Sequence, residues 1–187
     1  MGFIDEIKVR ARQNMKTIVL PETEDRRVLE AAAITLAEGN ANIILVGTDE
    51  EIDKNAEGLD ISKASRINPH TTDKLQSYID KLVELRQAKG MTPEKAKEAL
   101  TTDYTTFAVM MVKMGDADGV VSGACHSTAN TLRPSLQIIK TKPGVALVSA
   151  FFVMVVPDCE YGENGTFIFA DSGLEQNPTP EKLAAIA

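Results

Sequence analysis

Residues 16–56 read KTIVLPETEDRRVLEAAAITLAEGNANIILVGTDEEIDKNA. Lys16–Leu20 is a short apolar run of strand-forming residues, and Pro21 ends it, because proline cannot donate to a strand ladder. Val28–Ala37 is a run of good helix formers that stops at Gly39-Asn40, residues that readily adopt a left-handed cap. Asn42–Val46 is a second apolar run, closed by Gly47-Thr48-Asp49, and Asp49–Ala56 reads as a short helix. Neither strand alternates apolar with polar residues. Strands that are apolar throughout are buried on both faces, so this strand–helix–strand–helix order predicts an α/β fold, a parallel sheet with helices on both faces.

The flanking segments extend that pattern. Phe3–Asn14 places Phe3, Ile4, Ile7 and Ala11 on one helical stripe. Ile61–Pro69 suits a short edge strand. Thr72–Lys89 predicts a helix, with Leu75, Ile79, Leu82 and Arg86 at helical spacing and Gly90 as its cap. Thr92-Pro93-Glu94 starts another helix, and Asp103–Met114 a third, whose Phe107, Met110 and Met111 suit core filling. Asp118–Ser122 is a further strand, and Leu132–Lys140 a helix. Val145–Val156 has the length of a core strand, and Gly162–Gly165 closes a hairpin onto Thr166–Ala170. The turn at Pro143-Gly144 predicts an N-terminal α/β domain over 1–144, with the beginning of a second domain over 145–187. Thr179-Pro180-Glu181 opens a helix that meets no cap or breaker before Ala187, the pattern expected of part of a longer protein.

Composition narrows the function classes. The chain has 187 residues, 43% hydrophobic and 25% charged, with a formal net charge of −7. That length suits one good core or one and a half domains. No basic cluster marks nucleic acid as a partner, although an acidic protein handles phosphate wherever its local potential is positive. No apolar run is long enough to span a bilayer, and the acids in MGFIDEIKVRARQN do not suit a signal peptide. A cytoplasmic protein without a membrane partner is expected. Two cysteines, Cys125 and Cys159, make neither a disulfide framework nor a metal site, so reduced thiols and no bound metal are expected.

The chemistry concentrates in Asp118–Gln137, DGVVSGACHSTANTLRPSLQ. A strand end, a small-residue turn, the hydroxyls of Ser127 and Thr128, a helix start and Arg133 are the parts of an anion site. Backbone N–H groups at a helix start carry partial positive charge, and an arginine adds a two-pronged donor. The competing reading is a hydroxyl cap beside an arginine paired with a surface acid. The motif's density and its place after a strand favour a ligand, since α/β sheets bind ligands at strand C-ends. A helix begun at Ser127 would hold Pro134 in its interior at about 3 kcal/mol, so a break before a start near Thr131 is predicted, leaving donors free. His126 is a candidate acid–base group, with a hydrogen bond to backbone the preferred reading, and Cys125 is expected to pack in the core. Cys159 lies between Asp158 and Glu160, whose charges disfavour a thiolate, and it is not read as a nucleophile. One of Arg26 and Arg27 is expected to pair with Glu22, Glu24 or Asp25, while Arg86 suits the end of its helix.

KTIVLPETEDRRVLEAA, NIILVG, ELRQAKGMTPEKA, FAVMMVKMGDADGVVSGACHSTANTLRPSLQIIKTKPG, SAFFVMVVPDCEYGENGTFIFADSG and NPTPEKLAAIA, in this order, resemble the bacterial phosphate acetyltransferase (phosphotransacetylase) family. The resemblance implies interconversion of acetyl-CoA and phosphate with acetyl phosphate and CoA. It implies no metal, no cofactor beyond CoA as a substrate, and no covalent acyl-enzyme. It also implies an isocitrate/isopropylmalate dehydrogenase-like pair of α/β domains around a cleft, and a homodimer. Arg133 falls on the family's catalytic phosphate-side arginine. Arg86, Arg27, Cys159, Ser127 and Thr128 fall on its substrate side. The family's thiol-deprotonating carboxylate and its Ser–Arg pair belong to a later segment that this chain does not contain, so little turnover is expected of these residues alone. Two alternatives accompany this reading: a non-catalytic phosphate- or CoA-binding fragment, and a phosphate butyryltransferase, against which HSTANTLRP argues. No G-x-G-x-x-G follows a strand to support a dehydrogenase.

Overall fold

A computed structural model describes residues 2–187. They fall into two compact units, Lys8–Lys140 and a smaller one formed by the residues up to Ile7 with Thr141–Ala187. Helix α1 (Phe3–Gln13) runs from the smaller into the larger.

The larger unit is a parallel sheet of β1 (Thr17–Leu20), β2 (Asn42–Val46), β3 (Ser65–Ile67) and β4 (Gly119–Val120), in the order β3-β2-β1-β4. Thr17 pairs with Asn42 and Leu20 with Leu45, while Ile18 and Val19 pair with Gly119 and Val120. Side chains alternate across a strand, so this register sends successive residues to opposite faces. Val19 and Val46 join a core with Tyr78, Leu82, Leu100, Phe107, Met110 and Ile138. Leu20, Ile43 and Leu45 join a second core with Leu29, Ala32 and Ile52. Both faces are therefore covered, as the unbroken apolar strands predict.

The helices supply those two layers. Helices α2 (Arg26–Glu38) and α3 (Asp49–Asn55) lie on the Leu20 side; α4 (Leu75–Arg86), α5 (Pro93–Thr102), α6 (Tyr104–Met114) and α7 (Thr128–Ile138) lie on the Val19 side. Gly39 ends α2 with φ 66°, its N–H reaching back to the Leu36 carbonyl. The helix predicted over Thr72–Lys89 begins later, at Leu75, and its last turn, Gln87–Lys89, is 3₁₀. Tyr78 donates to Asp116 at 2.5 Å, and Asp116 also accepts from Lys74, tying α4 to the loop after α6. Gly47 is required where the β2 and β1 loops meet: a Cβ there would lie 2.7 Å from Thr23 Oγ1, which donates to the Val46 carbonyl.

Asp103 caps α6 from an extended backbone. One carboxylate oxygen accepts from Thr105 N (3.0 Å) and Thr106 N (3.1 Å), the other from Thr106 Oγ1 (2.6 Å). Asp103→Ala is expected to destabilise the unit by about 1–2 kcal/mol, read as a shift in the urea midpoint. An unchanged midpoint would show that the cap does not hold α6.

Two expectations are corrected. Helix α7 runs unbroken from Thr128, with Pro134 inside it. Ser127 is extended (φ −68°, ψ 155°) and caps the helix, its hydroxyl accepting from Asn130 N at 3.3 Å. Pro134 withholds one helical donor at a cost of about 3 kcal/mol. It is itself buried, as is Ile138 in the α6-side core, and this packing offsets the loss. In the smaller unit, the strand expected over Val145–Val156 is only β5 (Phe151–Val155), paired antiparallel with β6 (Thr166–Ala170). All five β5 residues are exposed, because no second layer covers them among the described residues of that unit. The hairpin through Gly162–Gly165 forms as expected, and α8 (Pro180–Ile186) follows, capped by Thr179.

Candidate functional site

Strands β2 and β3 lie on one side of β1 and β4 on the other, and the loop after β1 leads to α2 on one face of the sheet while the loop after β4 leads to α7 on the other. The loops after β1 and β4 part there, the crevice where open α/β sheets take ligands. A cleft of ≈ 610 Å³ opens beside these loops. Pro21, Thr23 and Glu24 line it from the first loop and His126 from the second. Asn130, Arg133 and Gln137 line it from α7, and Thr101, Thr102, Asp103 and Thr106 from the α5–α6 junction.

The turn predicted to offer free N–H groups does offer them, but to a residue of this chain. Glu22 Oε2 accepts from Gly123 N (2.7 Å) and Ala124 N (2.8 Å), and Oε1 from Cys125 N (3.1 Å) and His126 N (3.0 Å). The Glu22 side chain is 1% exposed. Burial alone would push its carboxyl up. The Ala124 N–H, the His126 ring and the N–H groups of Cys125 and Gly123 outweigh burial and hold it down at about 2. This nest of N–H groups is an anion site whose anion is Glu22.

The same pairing corrects the reading of His126 as a merely backbone-bonded residue. Its Nδ1 lies 2.8 Å from Glu22 Oε1, and this hydrogen bond raises the imidazole above its usual range. Cys125 is exposed, not core, because the turn stands out at the strand end. Burial of its sulfur, then Glu24 at 3.3 Å, push its thiol up to about 12, so it stays protonated. Glu22, Cys125 and His126 bring three metal-ligand atoms within 4.8 Å of one another. The Glu22 oxygens, however, already serve four backbone donors and the His126 ring, which leaves the trio as a closed hydrogen-bonded cluster.

The expected site residues divide by position. Arg133 is exposed, lines the cleft and takes part in no ion pair among the described residues. Ser127 and Thr128 begin α7 between the cleft residues His126 and Asn130. Arg27 is the member of the Arg26–Arg27 pair held by a neighbouring acid. It grips Asp25 at 2.6 Å and donates to the Ala124 carbonyl at 2.9 Å, which joins the two loops. Arg26 instead pairs with Glu30. Arg86 ends α4, and its Nε is buried without a hydrogen-bond partner. Cys159 belongs to the smaller unit, partly exposed, its thiol 4.0 Å from the Tyr161 carbonyl. From the sequence, Glu22 is expected only as a partner of Arg26 or Arg27, and Asp103 and Gln137 have no place in the site. For Glu22 the signal was its position directly after Pro21, at the end of a buried strand.

An α/β unit with a cleft and an exposed arginine at the switch point of its sheet belongs to the class that receives small ligands at strand ends. The sequence matches the description phosphate acetyl/butaryl transferase over residues 2–187, and the chain belongs to that family. It is 50% identical over 187 residues to the phosphate acetyltransferase of Acetivibrio thermocellus, covering 100% of this chain and 56% of that protein. It is 52% identical to the one from Thermoanaerobacterium thermosaccharolyticum, covering 57% of that relative. Among solved structures, the EutD phosphotransacetylase from Staphylococcus aureus superposes with a TM-score of 0.86 at 38% identity, over 97% of this chain and 53% of that one. The chain thus spans a little over half the length of these relatives.

Proposed function

We propose that this chain supplies the phosphate side of a site that interconverts acetyl-CoA and phosphate with acetyl phosphate and CoA. The observation that carries the reading is Arg133: a guanidinium without an acid partner among the described residues, exposed in a cleft at the sheet's switch point. A fork of N–H donors fits phosphoryl oxygens two at a time. In the reaction, the CoA thiolate attacks the acyl carbon of acetyl phosphate, the C–S bond forms, the C–O bond to phosphorus breaks, and phosphate departs with the electron pair. The thiol of CoA, ordinarily near 8.5, first yields its proton to a base. The arginine stabilises the leaving phosphate and, in the reverse direction, orients the attacking one. CoA is a substrate here, and no resident cofactor enters the proposal. The family resemblance adds a cytoplasmic homodimer acting in acetate metabolism; among the described residues no helix is long and apolar enough to cross a membrane.

Calorimetric titration of the 187-residue chain with inorganic phosphate and with CoA tests the reading. Saturable phosphate binding is expected. An absence of phosphate binding sinks the proposal. Acetyl and butyryl phosphate compared on a protein of the relatives' length separate the two acyl specificities, with acetyl expected to be preferred because relatives at 50% and 52% identity carry that name.

A further inference from the structure

We propose that His126 is a second phosphate-binding donor of this cleft and that Glu22 is the residue that positions it. The inference rests on the phosphate reading above and adds a partner to Arg133. The imidazole is fastened on one side only: Nδ1 lies 2.8 Å from Glu22 Oε1, while the ring is 38% exposed and lines the same cleft as Arg133. An ionised carboxylate only accepts, so Nδ1 carries a proton, and the nitrogen left for a ligand is Nε2. Glu22 cannot drift from this task. The four N–H groups that hold it come from Gly123 to His126, the turn that bears the ring, so carboxylate and imidazole are fixed in one frame.

The charge balance of the cleft calls for such a donor. Its lining includes the carboxylates of Glu24, Glu51 and Asp103 against the single guanidinium of Arg133. Two of these acids are engaged: Asp103 caps α6, and Glu51 accepts from Thr48 N at 3.0 Å. A dianionic phosphate still meets an acidic surround with one arginine. An imidazolium at His126 supplies the second positive charge. The groups facing the ring are Glu22, Glu24 and Asp103, which favour the protonated form, with the Cys125 thiol beside it and Arg27 beyond Glu22.

Nitrogen-detected NMR of the ring tests the pair in the full chain. The chain contains two histidines, and a His70→Gln variant assigns the signals. His126 is expected to keep Nδ1 protonated throughout and to titrate above the usual imidazole range. Inorganic phosphate is expected to shift its Nε2 signal, and His126→Gln to weaken phosphate binding about tenfold. Glu22→Gln is expected to lower the His126 titration towards the usual imidazole range, an effect that loss of a merely structural residue would not produce. Should that variant fail to fold, the tautomer in the unaltered chain still decides the positioning role. A neutral ring with Nδ1 unprotonated overturns it. Phosphate binding that depends on Arg133 yet leaves the His126 signals unmoved overturns the donor role while the phosphate reading stands. No phosphate binding at all removes both.

Discussion

Glu22→Ala is expected to destabilise the Lys8–Lys140 unit by about 3 kcal/mol and to loosen residues 123–126 from the β1 loop. The carboxylate is 1% exposed and accepts from four backbone N–H groups and one imidazole. Alanine leaves those donors without an acceptor and opens a void beneath the turn. Denaturant midpoints read the loss, and hydrogen exchange at Gly123–His126 reads its location. Unchanged exchange at these amides would show that Glu22 does not hold the turn.

The pH dependence follows from the same carboxylate. Its folded value is held down at about 2 against 4.5 for the free group. A depressed carboxylate contributes stability that is complete above 4.5 and lost as pH falls towards the folded value. At about 1.4 kcal/mol for each pH unit, this amounts to about 3.5 kcal/mol. His126 has the opposite sign: raised above 6.5, it contributes fully below that value and loses its contribution as pH rises past the folded one. The pair is therefore strongest between pH 4.5 and 6.5. Chemical denaturation of the chain from pH 7 to 3 is expected to fall steeply below pH 4.5, and Glu22→Gln to flatten that limb. A variant with the same acid limb would place the effect in other carboxylates.

The sheet was legible because burial on both faces writes itself into composition. Past Thr17 and Asn42, the runs Ile18–Leu20 and Ile43–Val46 have no polar position, and their register sends alternate residues into two separate cores. The anion site was legible as a set of parts but not as an arrangement. N–H donors after β4 are visible in SGACHST, yet the carboxylate that fills them lies about a hundred residues earlier, brought there only by the β1–β4 pairing. Local sequence does not encode a contact of that span. Pro134 misled for a related reason: its cost is local, but the packing that offsets it belongs to α6 and the sheet. Apolarity alone likewise could not place Val145–Val156 in a core, because burial of a strand depends on a second layer.

Arg133→Ala is expected to weaken inorganic phosphate binding about 100-fold, or about 2.7 kcal/mol, while changing the unfolding free energy by less than about 0.5 kcal/mol. Both halves follow from its surroundings. The residue is exposed on α7 and pairs with no acid among the described residues, so its removal breaks no ion pair among them. It faces the cleft, so a phosphate entering there gains a planar pair of charged donors that no other guanidinium in the lining can replace. Arg133→Lys keeps the charge and loses the fork, and about a tenfold weakening is expected. Arg27 is the informative comparison, because its guanidinium is committed to Asp25 at 2.6 Å and to the Ala124 carbonyl at 2.9 Å. Arg27→Ala is therefore expected to change phosphate affinity by no more than about threefold, a loss well below that of Arg133→Ala. Calorimetry on the four proteins ranks these effects. Equal losses at positions 27 and 133 would mean that Arg27 leaves Asp25 for the ligand and that the phosphate lies between the two loops. An Arg133→Ala chain that binds phosphate as tightly as the unaltered one would remove the arginine from the site.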